Sequence, residues 1–343
     1  MPDFRRVLEL VDARGGASWL TILRGSEVLL DRRSGCGADA LFYTFSVSKP
    51  FAALSVHLLA ERGMLRLDDP VADHWPGYGA RGKDGITIRQ VLSHRAGVPF
   101  STGTMLGDTV RMTDPARSVA AAEDARPRWA AGEVVGYHVL SYGFILGEVV
   151  RRVSGMPIQR FIAENLLEPA ALDDTSLGLS PERAHRAVPL RARSAAEHAR
   201  TILFNRTRTR ELPIPAAAIS TNGRDLAEFY RILLAGGEGI LRPETIAAAR
   251  SVSSDGDERD RVMGFPVRWA HGFQLGGPIG LARPTGSRAD PLTFGHNGSS
   301  ICNVWADPAR DLVVAYLTNT ADERARALRH LSDVSDEILA ATT

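Results

Sequence analysis

Lysine is almost missing from this chain. Of its 343 residues only Lys49 and Lys83 are lysines, and the other 39 basic side chains are arginine. Arginine cannot be deprotonated in a protein whereas lysine can, so each retained lysine asks for a reason. Cysteine is equally scarce: Cys36 and Cys302 cannot build a disulfide framework and lack metal-ligand spacing. An excess of one charge is missing too. With a net charge of +1 and interleaved signs, the sequence offers no electrostatic footprint for nucleic acid or an anionic membrane. No apolar run approaches the roughly 18 residues of a membrane span. Residues 1–16 mix apolar and charged side chains, without the continuous apolar region and cleavage site of a secretory signal. The expectation is a cytoplasmic protein with no membrane or nucleic-acid partner. His-Glu-x-x-His, Cys-x-x-Cys, Gly-x-Ser-x-Gly and a phosphate-cradling glycine loop are all absent, so no metal or cofactor is expected. Asp68 and Asp69 resemble an acidic pair, but Pro70 follows them and favours a loop.

What is present is the composition of a globular chain, 44% hydrophobic and 24% charged, able to bury a large core. Alternation over 17–31 predicts two strands around Gly25-Ser26, and 41–45 is a further short strand. From Ser46 the apolar residues Phe51, Leu54, Leu58 and Leu59 recur at helical spacing until Arg62-Gly63. Residues 67–80 read as a loop. Thr87 opens a short helix within 87–99, and stronger helices are predicted at 141–153 and about 224–234. Residues 101–135 suggest short exposed helices; 181–211 fit no pattern, and the RTRTR run at 206–210 reads as a solvated basic loop. Strands at 292–295, 301–306 and 311–318 precede a terminal helix from about 322 to 340. Strands at both ends with helices between them predict an α/β (α+β) fold. Its antiparallel sheet comes from both termini, 1–70 and 221–343, flanked by helices, with a mostly helical lobe inserted at 71–220.

The chemistry points to Ser46-Val47-Ser48-Lys49. A serine and a lysine three residues apart at a helix start share one face, close enough to hydrogen-bond. The helix N-terminus favours developing negative charge there. A partly desolvated lysine has a lowered pKa and can take the serine proton. The alternative is an ordinary helix start with a solvated lysine. That one of only two lysines stands here, where arginine could not serve as a base, favours the first reading.

FSVSKPF at 45–51 resembles the nucleophile motif of the serine β-lactamase and penicillin-binding-protein superfamily. The segments GMLRLDDPVADHWP (63–76), TIRQVLSHRAGVP (87–99), ISTNGRDLAEFYRILLAGG (219–237) and FGHNGSS (294–300) follow in the same order as in that superfamily. They are similar to class C β-lactamases and family VIII carboxylesterases. The resemblance implies a β-lactamase/transpeptidase-like fold with the active site between its lobes, Ser46 as nucleophile, and Lys49 with Tyr137 as proton relay. Tyr137 lies in Gly136-Tyr137-His138-Val139, where the superfamily usually carries Tyr-x-Asn. Val139 thus replaces an amide that often contacts the acylamide side chain of a β-lactam. His296-Asn297-Gly298 stands at the position of Lys-Thr-Gly. By the same resemblance His296, Asn297 and Gly298 line the substrate pocket, and the N–H groups of Ser46 and Ser299 form the oxyanion hole. His296 also fits an ordinary strand histidine. His94 is expected to buttress the inserted lobe, and His57 to sit in or near the core.

The expected function is a serine acyl-enzyme hydrolase acting on a small carboxylic ester or amide. An acyltransferase that passes the acyl group to an alcohol or amine acceptor is the alternative, and a catalytically silent binding protein a third reading. The missing export signal, Val139 and His296 all argue against a defensive β-lactamase. Residues 100–130, 195–215 and 270–292 are expected to shape the pocket.

Overall fold

The computed structural model describes residues 2–277 and 283–343. Eight strands form its main sheet: β1 (Ser18–Arg24), β2 (Glu27–Ser34), β3 (Val252–Ser254), β4 (Trp269–Ala270), β5 (Gln274–Leu275), β6 (Phe294–Gly298), β7 (Cys302–Asp307) and β8 (Leu312–Thr318). Their order is β2-β1-β8-β7-β6-β5-β4-β3, and every ladder is antiparallel. The two ends of the chain meet where β1 pairs with β8, Ile22 opposite Val314. The expected terminal strands are all present, and the sheet is flanked by helices as the sequence predicts. Strands β3 to β5 were not expected, because runs of two or three residues carry no readable period of two. The strand expected at 292–295 is displaced toward the C-terminus: β6 includes His296, Asn297 and Gly298 rather than leading into them.

Side chains alternate across the sheet, as a period of two requires. Leu20, Ile22, Val314 and Tyr316 meet the terminal helices α1 (Arg5–Arg14) and α6 (Arg324–Ala341) through Val7, Val11, Leu331 and Ile338. Trp19, Leu23, Val313 and Ala315 face the opposite way, into the core that contains Leu226, Phe229 and Leu233 of α5 (Gly223–Leu234). Helix α2 (Lys49–Glu61) is buried along almost its whole length and packs against α3 (Ser141–Ser154).

Residues between 71 and 211 carry mostly helices, including α4 (Ala195–Asn205). The short helix expected after Thr87 runs over Ile88–Leu92, opened by a reciprocal capping box between Thr87 and Gln90. Two expectations fail in this region. Residues 67–80 are not all loop, since Val71–His74 and Pro76–Gly79 each close a helical turn. The RTRTR run is not a solvated loop: Thr207–Glu211 is a short helix and Arg210 is buried. Its guanidinium donates to the carbonyls of Val188 at 2.8 Å and Phe204 at 3.1 Å, so it ties neighbouring segments together.

Lys83 explains itself here. Its ammonium is fully covered and donates to three carbonyls, Ala80 at 2.7 Å, Glu123 at 2.7 Å and Ala125 at 2.6 Å. Three convergent acceptors suit the compact, three-donor tip of lysine better than the planar fork of arginine. Cys36 and Cys302 are both free thiols. Among the described residues no helix is long and apolar enough to cross a membrane.

Candidate active site

Ser46 sits in a 3₁₀ turn, Phe45–Ser48, that runs directly into α2. In a 3₁₀ turn residues i and i+3 eclipse one another, which brings Ser46 and Lys49 together more directly than an α-helix would. Phe45 just before the serine has φ of 51°, a left-handed conformation costly for an aromatic residue. Ser48 holds this turn: its hydroxyl donates to the Phe45 carbonyl at 2.6 Å and accepts from the Ile219 amide at 2.9 Å. Residues 44–48 are thus pinned against 219, and the N-terminal end of α2 points at the serine hydroxyl.

Lys49 is buried, with Nζ 3.2 Å from Ser46 Oγ, 2.7 Å from the Val139 carbonyl oxygen and 3.4 Å from that of Ala216. Its surroundings are otherwise aromatic, Nζ lying 4.7 Å from the ring centre of Tyr137 and 5.9 Å from that of Tyr142. Burial pushes the Lys49 pKa well below its ordinary value of 10.5.

Tyr137 closes the other side of Ser46. Burial raises its pKa well above that of a free phenol; the Ser46 hydroxyl beside it opposes this shift, and the charge of Asp260 adds to it. The Tyr137 ring lies flat on Trp269, with centroids 5.1 Å apart and planes 6° apart, and edge-on to His94 at 4.9 Å. His94 is therefore in the floor of the site rather than a distant buttress of the helical segment. It is reached by a left-handed φ of 60° that ends the Ile88–Leu92 helix, and its Nδ1 accepts from the His138 amide at 3.2 Å. Burial, followed by the neighbouring His138 and Lys49, holds His94 well below the ordinary histidine pKa.

Strand β6 supplies the third wall. His296 is buried, its Nδ1 bonded to the Asn297 carbonyl at 2.8 Å, and burial with the nearby Lys49 pushes its pKa down to about 3. Its ring centre lies 6.2 Å from that of Tyr137 and 5.8 Å from that of Trp269. The Asn297 amide donates to Gln274 Oε1 at 2.9 Å and so faces β5. At Gly298 a Cβ would fall 1.8 Å from the Thr44 carbonyl oxygen, so only glycine lets β6 press against the segment leading to Ser46. Ser299 and Ser300 then take left-handed φ values of 54° and 56°, turning the chain at the end of the strand. The Ser299 hydroxyl accepts from Arg200 of α4, which also pairs with Glu197.

The structure thus brings Ser46, Lys49, Tyr137 and His296 to one place, with Gly298 and Ser299 on the adjoining strand edge. His57 lies apart as a core residue, Nε2 bonded to the His271 carbonyl at 2.8 Å. Asp68 pairs with Arg89 at 2.6 Å and Asp69 with His74 at 3.1 Å, outside the site. Of the expected pocket segments, 195–215 contributes Arg200, and 270–292 contributes Gln274, while residues 278–282 lie outside the described residues. Sequence reasoning missed Trp269 and Asp260. Trp269 is one of five tryptophans, a weak signal; Asp260 carried none.

Residues 4–335 match the model of the family described as Beta-lactamase. The chain is similar to the esterase/beta-lactamase LipL of Mycobacterium tuberculosis, 29% identical over 320 residues that cover 82% of this chain and 70% of that protein. It is similar to esterase EstB of Burkholderia gladioli at 27% identity, covering 88% of this chain and 83% of that one. A solved family VIII carboxylesterase superposes with a TM-score of 0.81 at 26% identity, covering 97% of each chain.

Proposed function

Because this chain belongs to the beta-lactamase family, we propose that its serine-hydrolase chemistry runs through Ser46 and is directed at small carboxylic esters. The observation that carries this reading is the surroundings of Lys49. A neutral amine has two N–H donors and one lone pair. The carbonyls of Val139 and Ala216 accept the two N–H groups, which leaves the lone pair facing the Ser46 hydroxyl. Burial favours that uncharged form. Lys49 is then the base, and Tyr137, held as a neutral phenol, is the acid.

Ser46 Oγ attacks the ester carbonyl while its proton passes to Lys49 Nζ. The amides of Ser46 and Ser299 hold the oxyanion, each such donor being worth about 3 kcal/mol. When the intermediate collapses, the bond to the leaving alkoxide breaks and that oxygen takes a proton from Tyr137. The Lys49 ammonium restores the phenol. Water attacks the acyl-serine by the same route, giving its proton to Lys49, and Ser46 Oγ leaves as the hydroxyl.

Val139 bears on the substrate. Its side chain packs beside Tyr137 and Trp269, so an apolar group stands where superfamily members place an amide. That favours a plain acyl chain over the acylamide of a β-lactam. Turnover of p-nitrophenyl butyrate and a fluorophosphonate adduct mapped to Ser46 test the reading, and both vanish in Ser46→Ala. No adduct on Ser46 overturns it. Acyl transfer to added alcohols that outruns hydrolysis would replace the hydrolase by the acyltransferase.

A further inference from the structure

Asp260 is fully buried, and its carboxylate accepts only N–H groups. The Tyr137 amide reaches both of its oxygens at 3.1 Å. The amides of Val262 and Met263 reach Oδ1 at 2.8 Å, and the Trp269 indole donates to Oδ2 at 3.0 Å. Two of these four donors belong to the tyrosine site. One is the backbone of Tyr137; the other is the indole whose face lies flat on the Tyr137 ring. The surrounding chain repeats the arrangement. Glu258, two residues earlier, accepts from the Val135 amide at 3.0 Å while paired with Arg95 at 2.6 Å, and the Arg261 amide donates to the Val135 carbonyl at 2.9 Å. Residues 258–261 therefore grip 135–137 at alternate amides, much as a neighbouring strand would, but with carboxylates in place of carbonyls.

A backbone carbonyl could satisfy the Tyr137 amide. It could not at the same time fix the indole, because the second oxygen is needed for that. We propose that Asp260 is a positioning residue for the reaction: it locks Tyr137 over Ser46 and Lys49 by holding its backbone and, through Trp269, the plane of its ring. Asp260 touches no reacting atom and acts through Tyr137 alone. A catalytic group displaced by about 1 Å can lose a hundredfold in rate, so the effect belongs in kcat.

The inference rests on the reading of Tyr137 as proton donor, and a double-mutant cycle separates the two. Asp260→Asn keeps the shape of the side chain but turns an NH2 group toward the N–H donors. With p-nitrophenyl butyrate, kcat is expected to fall at least tenfold while KM stays within twofold. Tyr137→Phe alone is expected to cost roughly a hundredfold or more, the usual scale for a lost general acid. Asp260→Asn added to Tyr137→Phe should then change kcat by less than twofold, since the tyrosine it positions has no proton to give. Full losses that multiply in the double variant would overturn the inference, as would an unchanged kcat in Asp260→Asn. Full activity in Tyr137→Phe would instead overturn the reading of Tyr137. If circular dichroism shows Asp260→Asn unfolded, Trp269→Phe, which keeps a stacked ring and loses the indole donor, takes its place in the same cycle. It is expected to lower kcat at least threefold in the parent and less than 1.5-fold in Tyr137→Phe, and equal losses in both overturn the inference.

Discussion

Lys49→Met separates what the buried amine does for catalysis from what it does for the fold. Methionine keeps an unbranched stem of similar reach and removes only the nitrogen chemistry. Two carbonyls, of Val139 and Ala216, lose a donor, and each unsatisfied buried acceptor costs about 1–3 kcal/mol. An opposing gain comes from linkage. Lys49 has its pKa lowered by folding, so between that depressed value and 10.5 the unfolded chain binds a proton that the native state lacks. Wild-type stability therefore rises with pH through this window, by up to about 1.4 kcal/mol per pH unit, and at neutral pH the folded state bears the penalty. Methionine abolishes it. The two terms oppose each other, and the net change in unfolding free energy at pH 7 is expected within about 2 kcal/mol of wild type. Catalysis has no such compensation. Loss of the base is expected to lower kcat by about 10⁴, or roughly 5.4 kcal/mol of barrier. The assay is p-nitrophenyl butyrate turnover beside urea unfolding from pH 7 to 10. A variant within tenfold of wild-type kcat would refute Lys49 as the base. A variant whose stability keeps the wild-type rise with pH would refute its buried, uncharged state.

Gly298→Ala places a methyl 1.8 Å from the Thr44 carbonyl, so β6 and the 44–48 turn must part; kcat is expected to fall about a hundredfold, and wild-type turnover would show that the edge is free to shift. Lys83→Met strands three carbonyls and is expected to cost about 2–5 kcal/mol in urea unfolding with kcat unchanged, whereas a kcat loss would link Lys83 to the site. Acid should destabilise the fold through its buried histidines. Burial depresses His57 and His138 to about 4 and His296 to about 3, so below pH 6.5 the unfolded chain takes up protons that the native state refuses. Stability then falls as the pH drops from 6.5 toward 4, by up to about 1.4 kcal/mol per pH unit for each histidine, and equal urea midpoints at pH 7 and pH 5 would contradict the assignment.

Whether a feature can be read from the chain depends on how far its determinants lie apart. Ser46 and Lys49 are neighbours in sequence, and the scarcity of lysine by itself singles out the second of them. The strands β1, β7 and β8 are long enough for alternation to show, and Thr87 announces its helix by local capping. By contrast β3, β4 and β5 exist because the sheet beside them offers an edge, and nothing within two or three residues could say so. Arg210 reads as solvated inside a basic run because the carbonyls that bury it belong to other segments.

The tyrosine site carries this distinction furthest. A phenol becomes a useful acid only when its position and its surroundings are fixed, and here both are set from outside its own stretch of chain. Lys49 comes from α2, His94 from the end of a capped helix, and His296 from β6, while Trp269 and Asp260 come from a segment more than a hundred residues downstream. The motif around Tyr137 could therefore be recognised by its likeness to other chains but not explained by its own residues. The lysine differs because its function requires little more than burial beside a serine, which a helix start and three residues of spacing already provide. Substitutions that leave the motif intact but loosen the 258–261 grip should accordingly impair the acid step while sparing the base.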